Sequence, residues 1–224
     1  MAGIDGAGRG WVAVVLGNDG FLGAFFDTTL AGLRDAVGAV RILAVDMPIY
    51  LPPSGREWPR SADLAARELL GPRRNSVFLA PPAPVLDCSS WEEANRRHRQ
   101  LTGNGLSRQS WSLFPRIAEV RAFAAAVSDV HEVHPEVSFT VMAGGAPLPF
   151  PKRRWNGLIL RRRLLSGEGI DLPDRIEGPA GTVAPDDLLD AAAAAWTARR
   201  IATGRACILG DGSSFASHRA VIRA

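Results

Sequence analysis

Asp5 and Asp46 each close an apolar strand pattern, and the order of elements between them leaves few ways to fold the chain. "AGIDGAGRGWVAVVL" reads as two strands joined by a glycine-rich turn, and "GFLGAFF" reads as a third strand after the turn signal "GNDG". "TLAGLRDAVGAV" has helical spacing, and "RILAVDMPI" is an apolar strand stopped by Pro48. Three antiparallel strands and a helical crossover return the chain as a fourth strand parallel to the first. The carboxyl ends of strands one and four are then neighbours, so Asp5 and Asp46 face one point. Either residue alone reads as an ordinary turn cap. As a pair in this topology they bring two like charges together, which is costly unless something positive lies between them. A metal ion is the simplest such partner.

The last long helix adds two more acids. In "PDDLLDAAAAAWTARRIATG", Asp187 and Asp190 are three residues apart and project from one helix face. Asp186 or Asp187 also suits the positive N-terminal end of a helix. Asp190 is followed by alanines that permit close packing on a sheet, which would aim its carboxylate at the strand ends.

Between these parts the character changes. Residues 52–128 hold proline-rich turns, "LPPSGREWPR" and "APPAPVL", and helical patches, "SADLAARELL" and "SWEEANRRHRQL". This reads as a mostly helical insertion within one domain spanning residues 1–224. Arg60, Asp63 and Arg67 suit a salt-bridge set inside it, and Trp58 and Trp111 suit its own small core more than stacking on bases. "DVHEVHPEVSF" returns to strand character, with Glu132, His134 and Glu136 at alternate positions and therefore on one strand face. Pro135 is then expected to break the ladder. "KRRWNGLILRRRLLSGEG" reads as a helix closed by glycine, and "ACILG" as a short final strand. The expected architecture is α/β: a mixed five-stranded sheet, three antiparallel strands then parallel ones, flanked by helices.

Composition narrows the function classes. The 224 residues are 46% hydrophobic and 22% charged, ordinary for a folded domain. Cys88 and Cys207 are far apart and match no metal-ligand spacing, which suits a reducing, cytoplasmic setting. The start lacks the basic and apolar regions of a secretory signal, and no apolar run approaches the roughly 20 residues of a membrane span. Net charge is only +3, yet "KRRWNGLILRRR" (152–163) holds six cations and no anion, and "RRHR" (96–99) is a second cluster. Such patches suit phosphates, and equally a solvated helix face.

The order of strands and acids resembles the ribonuclease H superfamily, and "DDLLDAAAA" is similar to the D-x-x-D-A of Holliday-junction resolvases within it. The whole chain more closely resembles the family called domain of unknown function 429, predicted RNase H-like nucleases. The matching pieces are "GIDGAGRGWV", "AVDMPIYLP", "RSADLAARELLG", "RRNSVF", "GLSRQSW", "EVHPEVSF" and "DDLLDAAAAAWTARR". Ala7, Tyr50 and Asn75 depart from the cysteine, glycine and serine usual there.

The resemblance implies a nuclease in which carboxylates hold two Mg²⁺ or Mn²⁺ ions roughly 3.5–4 Å apart. Hard cations prefer oxygen ligands, as this Asp-rich, cysteine-free set offers. Asp5 is then the bridging ligand, Asp46 the second, with Asp187 and Asp190 completing the set. His134 is a candidate general base or proton shuttle, and Glu136 a candidate acid beside the metals. Arg73, Arg74, Gln109 and Lys152 are candidate contacts to a nucleic acid or other phosphodiester. A second reading is a repurposed member that acts on or binds a small molecule without nuclease activity. A third, an actin-like or sugar-kinase-like nucleotide-binding protein, has only "ILGDGSS" as a second phosphate loop and a chain about half too short.

Overall fold

The computed structural model describes residues 1–210, 214–215, 218–219 and 221–224. Strands β1 (Ala2–Ala7), β2 (Gly10–Gly17) and β3 (Gly20–Asp27) form an antiparallel meander. Gly8 turns the first hairpin with φ +52° and Gly20 ends the second turn with φ +115°, values that glycine adopts without a Cβ clash. Helix α1 (Leu30–Val37) starts at Thr29, whose hydroxyl accepts from the Gly32 N–H. It carries the chain to β4 (Leu43–Val45), which pairs parallel with β1.

Residues 52–128 then form the helices α2 (Ser61–Leu70), α3 (Trp91–Thr102), α4 (Arg108–Ser112) and α5 (Phe114–Ala126), with short 3₁₀ turns between them. Strand β5 (Val130–Glu132) pairs parallel with β4 and completes the sheet order β3-β2-β1-β4-β5. Helices α6 (Pro135–Met142), α7 (Trp155–Gly167) and α8 (Pro185–Ala202) follow. The expected mixed five-stranded α/β sheet, antiparallel then parallel, is the fold observed. The closing segment differs from expectation. Strand β6 (Ile208–Leu209) does not join the main sheet. It pairs with β9 (Ile222–Arg223), while β7 (Ser214–Phe215) pairs with β8 (His218–Arg219). The loop reading of "ILGDGSS" falls partly on Asp211–Ser213, which lie outside the described residues.

The sheet is covered on both faces. Ala2 and Ile4 of β1, Trp11, Ala13 and Val15 of β2, and Leu43 and Val45 of β4 pack with Leu30, Leu33 and residues of the 52–128 segment such as Ala80, Ala94, Phe114 and Ile117. On the other face, Ala7, Val12, Val14 and Leu16 pack with Ala191–Ala193, Ala195 and Trp196 of α8, and Ala44 packs with Ala194 and Ala198. The close approach of α8 depends on Gly3: a Cβ there would lie 1.9 Å from the Ala195 nitrogen and 2.3 Å from the Ala191 oxygen. The alanine run and Gly3 thus bring a helix backbone almost onto strand β1.

The segment after β5 corrects the alternating-strand reading. The strand ends at Glu132, and α6 begins at Pro135, with His134 as its N-cap residue. Proline fits the first helical turn, where its missing N–H costs nothing. Glu132, His134 and Glu136 therefore do not share one face. Glu132 pairs across the sheet with Val45, on the face covered by the 52–128 segment, opposite to α8.

Candidate metal centre

Three carboxylates converge where β1, β4 and α8 meet. Asp5 is the fourth residue of β1, on the same face as Gly3, and its Oδ1 accepts from the Gly6 N–H at 2.7 Å. Asp46 follows β4 directly, with its N–H donating to the Ile4 carbonyl at 2.9 Å. Asp190 lies one residue before Ala191, on the stretch of α8 that contacts Gly3. One oxygen from each of the three lies within 4.8 Å of the other two. Asp5 is 7% exposed and Asp190 is 1% exposed.

The electrostatics match this crowding. Burial holds the Asp5 carboxyl well above the usual carboxylate range, and the nearby Asp46 and Asp190 push it further in the same direction. Burial raises Asp46 as well, against the opposing charges of His134 and Lys152. Asp190 is pushed up to about 7, again chiefly by burial, although Lys152 opposes the shift. Two buried acids and a partly buried third at this spacing favour further positive charge beside them. One oxygen, Asp190 Oδ1, is buried without a hydrogen-bond partner. A hard divalent cation fits this all-oxygen donor set.

Of the other expected site residues, Asp187 sits in the first turn of α8, half-buried and outside the three-carboxylate cluster. Burial raises its carboxyl too, with Asp186 adding to the effect. The structure places His134 beside Asp46, close enough for its charge to act there. Its Nε2 lies 3.3 Å from the Ser76 carbonyl, which can only accept, so Nε2 carries a proton. That Nδ1 is buried and has no hydrogen-bond partner.

Glu136 is buried near the cluster, but cations already hold it. The Arg161 Nη2 donates to its Oε1 at 2.5 Å, and Arg73 lies 3.3 Å from its Oε2. Arg73 is thus partly committed to Glu136, whereas Arg74 is exposed. Gln109 is an exposed residue of α4 on the wall of a cavity of about 360 Å³, together with Trp58, Arg67, Ser76 and His98. Lys152 enters the centre itself, its Nζ donating to Asp190 Oδ2 and lying 3.9 Å from Asp186 Oδ2. Burial opposes its charge, yet Asp190 and Asp5 outweigh that and hold its pKa above the ordinary lysine value.

Several expectations away from the centre change. The cations of 152–163 do not form one phosphate-facing patch, because Arg161 is fully buried. In 96–99, His98 is buried in an edge-on contact with Trp58, ring centroids 5.0 Å apart. Trp111 packs on Phe114 at 4.8 Å, so Trp58 and Trp111 both pack against the insertion's own aromatic and histidine rings. Arg60 and Asp63 do pair, but the pair extends out of the insertion to Glu132, and Arg67 donates to the Val77 carbonyl instead.

Sequence reasoning missed Arg161, Arg153 and Arg116. Arg153 Nε donates to Asp186 Oδ2 at 3.0 Å. Arg116 of α5 donates to the Gly8 carbonyl at 2.6 Å, and a Cβ on Gly6 would meet its guanidinium at 2.8 Å. Its charge reaches Asp187. For Arg161 a signal existed: Gly157, Arg161 and Leu165 repeat every four residues, and all three lie on the buried stripe of α7.

No curated protein and no solved structure matches this chain. The model of the family described as "Protein of unknown function (DUF429)" matches residues 3–213, and the chain belongs to that family.

Proposed function

We propose that this protein is an RNase H-like, metal-dependent phosphodiesterase that cleaves nucleic acid. The observation that carries the reading is the convergence of Asp5, Asp46 and Asp190, with mutually adjacent oxygens and one buried oxygen left unpartnered. A bound Mg²⁺ or Mn²⁺ would lower the pKa of an attacking water and neutralise charge on the phosphate. Hydrolysis adds water across the ester: its oxygen bonds to phosphorus, one P–O bond breaks, and the leaving oxygen takes a proton. The chain's own groups suit the proton transfers. His134, beside Asp46, is the group we assign to take up a proton, while Asp187 extends the acidic rim toward water. Arg74, the accessible edge of Arg73 and Gln109 are the groups we assign to contact a phosphate-bearing strand. Cys88 and Cys207 are free thiols, which suits a reducing compartment such as the cytoplasm.

The cavity beside Ser76 and Gln109 favours one second reading, hydrolysis of a small phosphate ester without action on polynucleotides. One experiment separates the two. Purified protein is incubated with Mn²⁺ and fluorescent single-stranded and duplex oligonucleotides, in parallel with bis-p-nitrophenyl phosphate. We expect oligonucleotide cleavage that Asp5→Asn abolishes without lowering the melting temperature. Cleavage of the small ester alone would favour the second reading, and activity that persists in Asp5→Asn would sink both.

A further inference from the structure

We propose that the centre takes one divalent cation, and that the Lys152 ammonium supplies the second positive charge that a two-ion site would draw from metal. The inference rests on the metal-dependent reading above and specifies the composition of that site.

Lys152 is built into the centre. Its Nζ hydrogen-bonds Asp190 Oδ2, lies 3.9 Å from Asp186 Oδ2, and acts electrostatically on Asp5 and Asp46. The other oxygen of Asp190 is the buried, unpartnered one. One carboxylate therefore offers one oxygen to the lysine and the other to an ion. The loop that carries Lys152 is fixed in place. Arg161 Nη1 donates to the Phe150 carbonyl at 3.2 Å while its Nη2 holds Glu136. Gly157 brings α7 against the same loop, where a Cβ would lie 2.0 Å from the Pro151 oxygen. Arg153, the next residue, is tied to Asp186 at 3.0 Å. A lysine held by its neighbours on both sides is a fixed part of the site.

The remaining carboxylates leave little for a second ion. Glu136 is held by Arg161 and Arg73, and Asp186 by Arg153 and Lys152. Asp187 stands outside the cluster. Charge agrees: Asp5, Asp46 and Asp190 carry −3 when ionised, which one divalent ion and one ammonium neutralise. Adding a second divalent ion would leave the three carboxylates outnumbered in charge. The ammonium is also 32% exposed on its side chain, so it reaches the mouth of the centre, where a phosphate oxygen would lie. It is a compact point charge with three donors, suited to a single phosphate oxygen.

The test is Mn²⁺ binding to the intact chain, read by titration calorimetry for stoichiometry and by electron paramagnetic resonance for coupling between ions. The wild type should bind one Mn²⁺ per chain, with no spin-coupled pair. Lys152→Met should admit a second, coupled ion, and Lys152→Arg, which keeps the charge, should return the count to one. A coupled pair in the wild type would overturn the lysine inference and leave the metal-dependent reading standing. So would a Lys152→Met variant that still binds one ion. Absence of any Mn²⁺ binding, with Asp5→Asn titrating like the wild type, would overturn the metal reading and the inference together.

Discussion

Asp5 is a buried acid crowded by two others, and its titration gives a stability signature that needs no substrate. Its carboxyl is held above its unfolded value, first by burial and then by Asp46 and Asp190. A carboxyl raised in the folded state binds protons that the unfolded chain has already released, so the folded state is favoured at low pH. That advantage is lost as pH rises from the unfolded value near 4 through the folded one. Asp5→Asn removes the charge and keeps an oxygen for the Gly6 N–H. Without divalent metal at pH 8, the variant should therefore be more stable than the wild type. The gap should narrow as pH falls and the wild-type carboxyl takes up its proton. Millimolar Mn²⁺ should raise the wild-type melting temperature at pH 8 and leave Asp5→Asn unmoved. Scanning calorimetry at two pH values checks all three, and a variant less stable than the wild type at pH 8 would contradict the account of crowded charge.

At the scale of elements, the geometry of the centre rests on the contact between α8 and β1. Gly3 admits the helix backbone, and Asp190 reaches Asp5 because Ala191, Ala194 and Ala195 sit against that glycine. A methyl group at Gly3 cannot be absorbed by a side-chain shift, since the atoms it would strike are backbone. Gly3→Ala should cost on the order of 3 kcal/mol or more in urea unfolding. The folded fraction should also bind Mn²⁺ poorly, because α8 must back away and carry Asp190 with it. Mn²⁺ affinity as tight as the wild type's would show that the helix contact does not set the cluster. Much of this was legible in the sequence. The strand order followed from the apolar runs and turn signals, and Asp5, Asp46 and Asp190 followed from that order and the alanine run. The 129–136 stretch was not, because a period of two across "DVHEVHPE" is equally a three-residue strand that turns helical at a proline. Side-chain pairs such as Glu136 with Arg161, 25 residues apart, leave no local signature at all.

At the scale of the whole molecule, we read the 52–128 segment as part of a single domain, because it forms half of a core that the sheet cannot close alone. Ile4, Trp11 and Val45 pack in one cluster with Ala80, Ala94 and Ile117. A buried ionic clamp joins the same two parts. Arg60 donates to both oxygens of Glu132 on β5, at 2.7 Å and 3.0 Å, to Asp63, and to the Tyr50 carbonyl at 2.7 Å. Burial raises the Glu132 carboxyl, and Arg60 is what opposes that. Arg60→Met would leave Glu132 and Asp63 buried without their cation, a loss worth about 3–5 kcal/mol when one partner of a buried pair is removed. If the clamp and the shared core make one cooperative unit, urea unfolding should give coincident transitions by far-ultraviolet circular dichroism and by fluorescence, to which Trp58, Trp91 and Trp111 of the segment contribute. Arg60→Met should move both by the same amount. A fluorescence transition that separates and shifts alone would mean that the segment is a detachable flap over the sheet. The three carboxylates of the metal centre come from β1, the end of β4 and α8, and Mn²⁺ binding that persists in the intermediate urea range would reveal such a detachment.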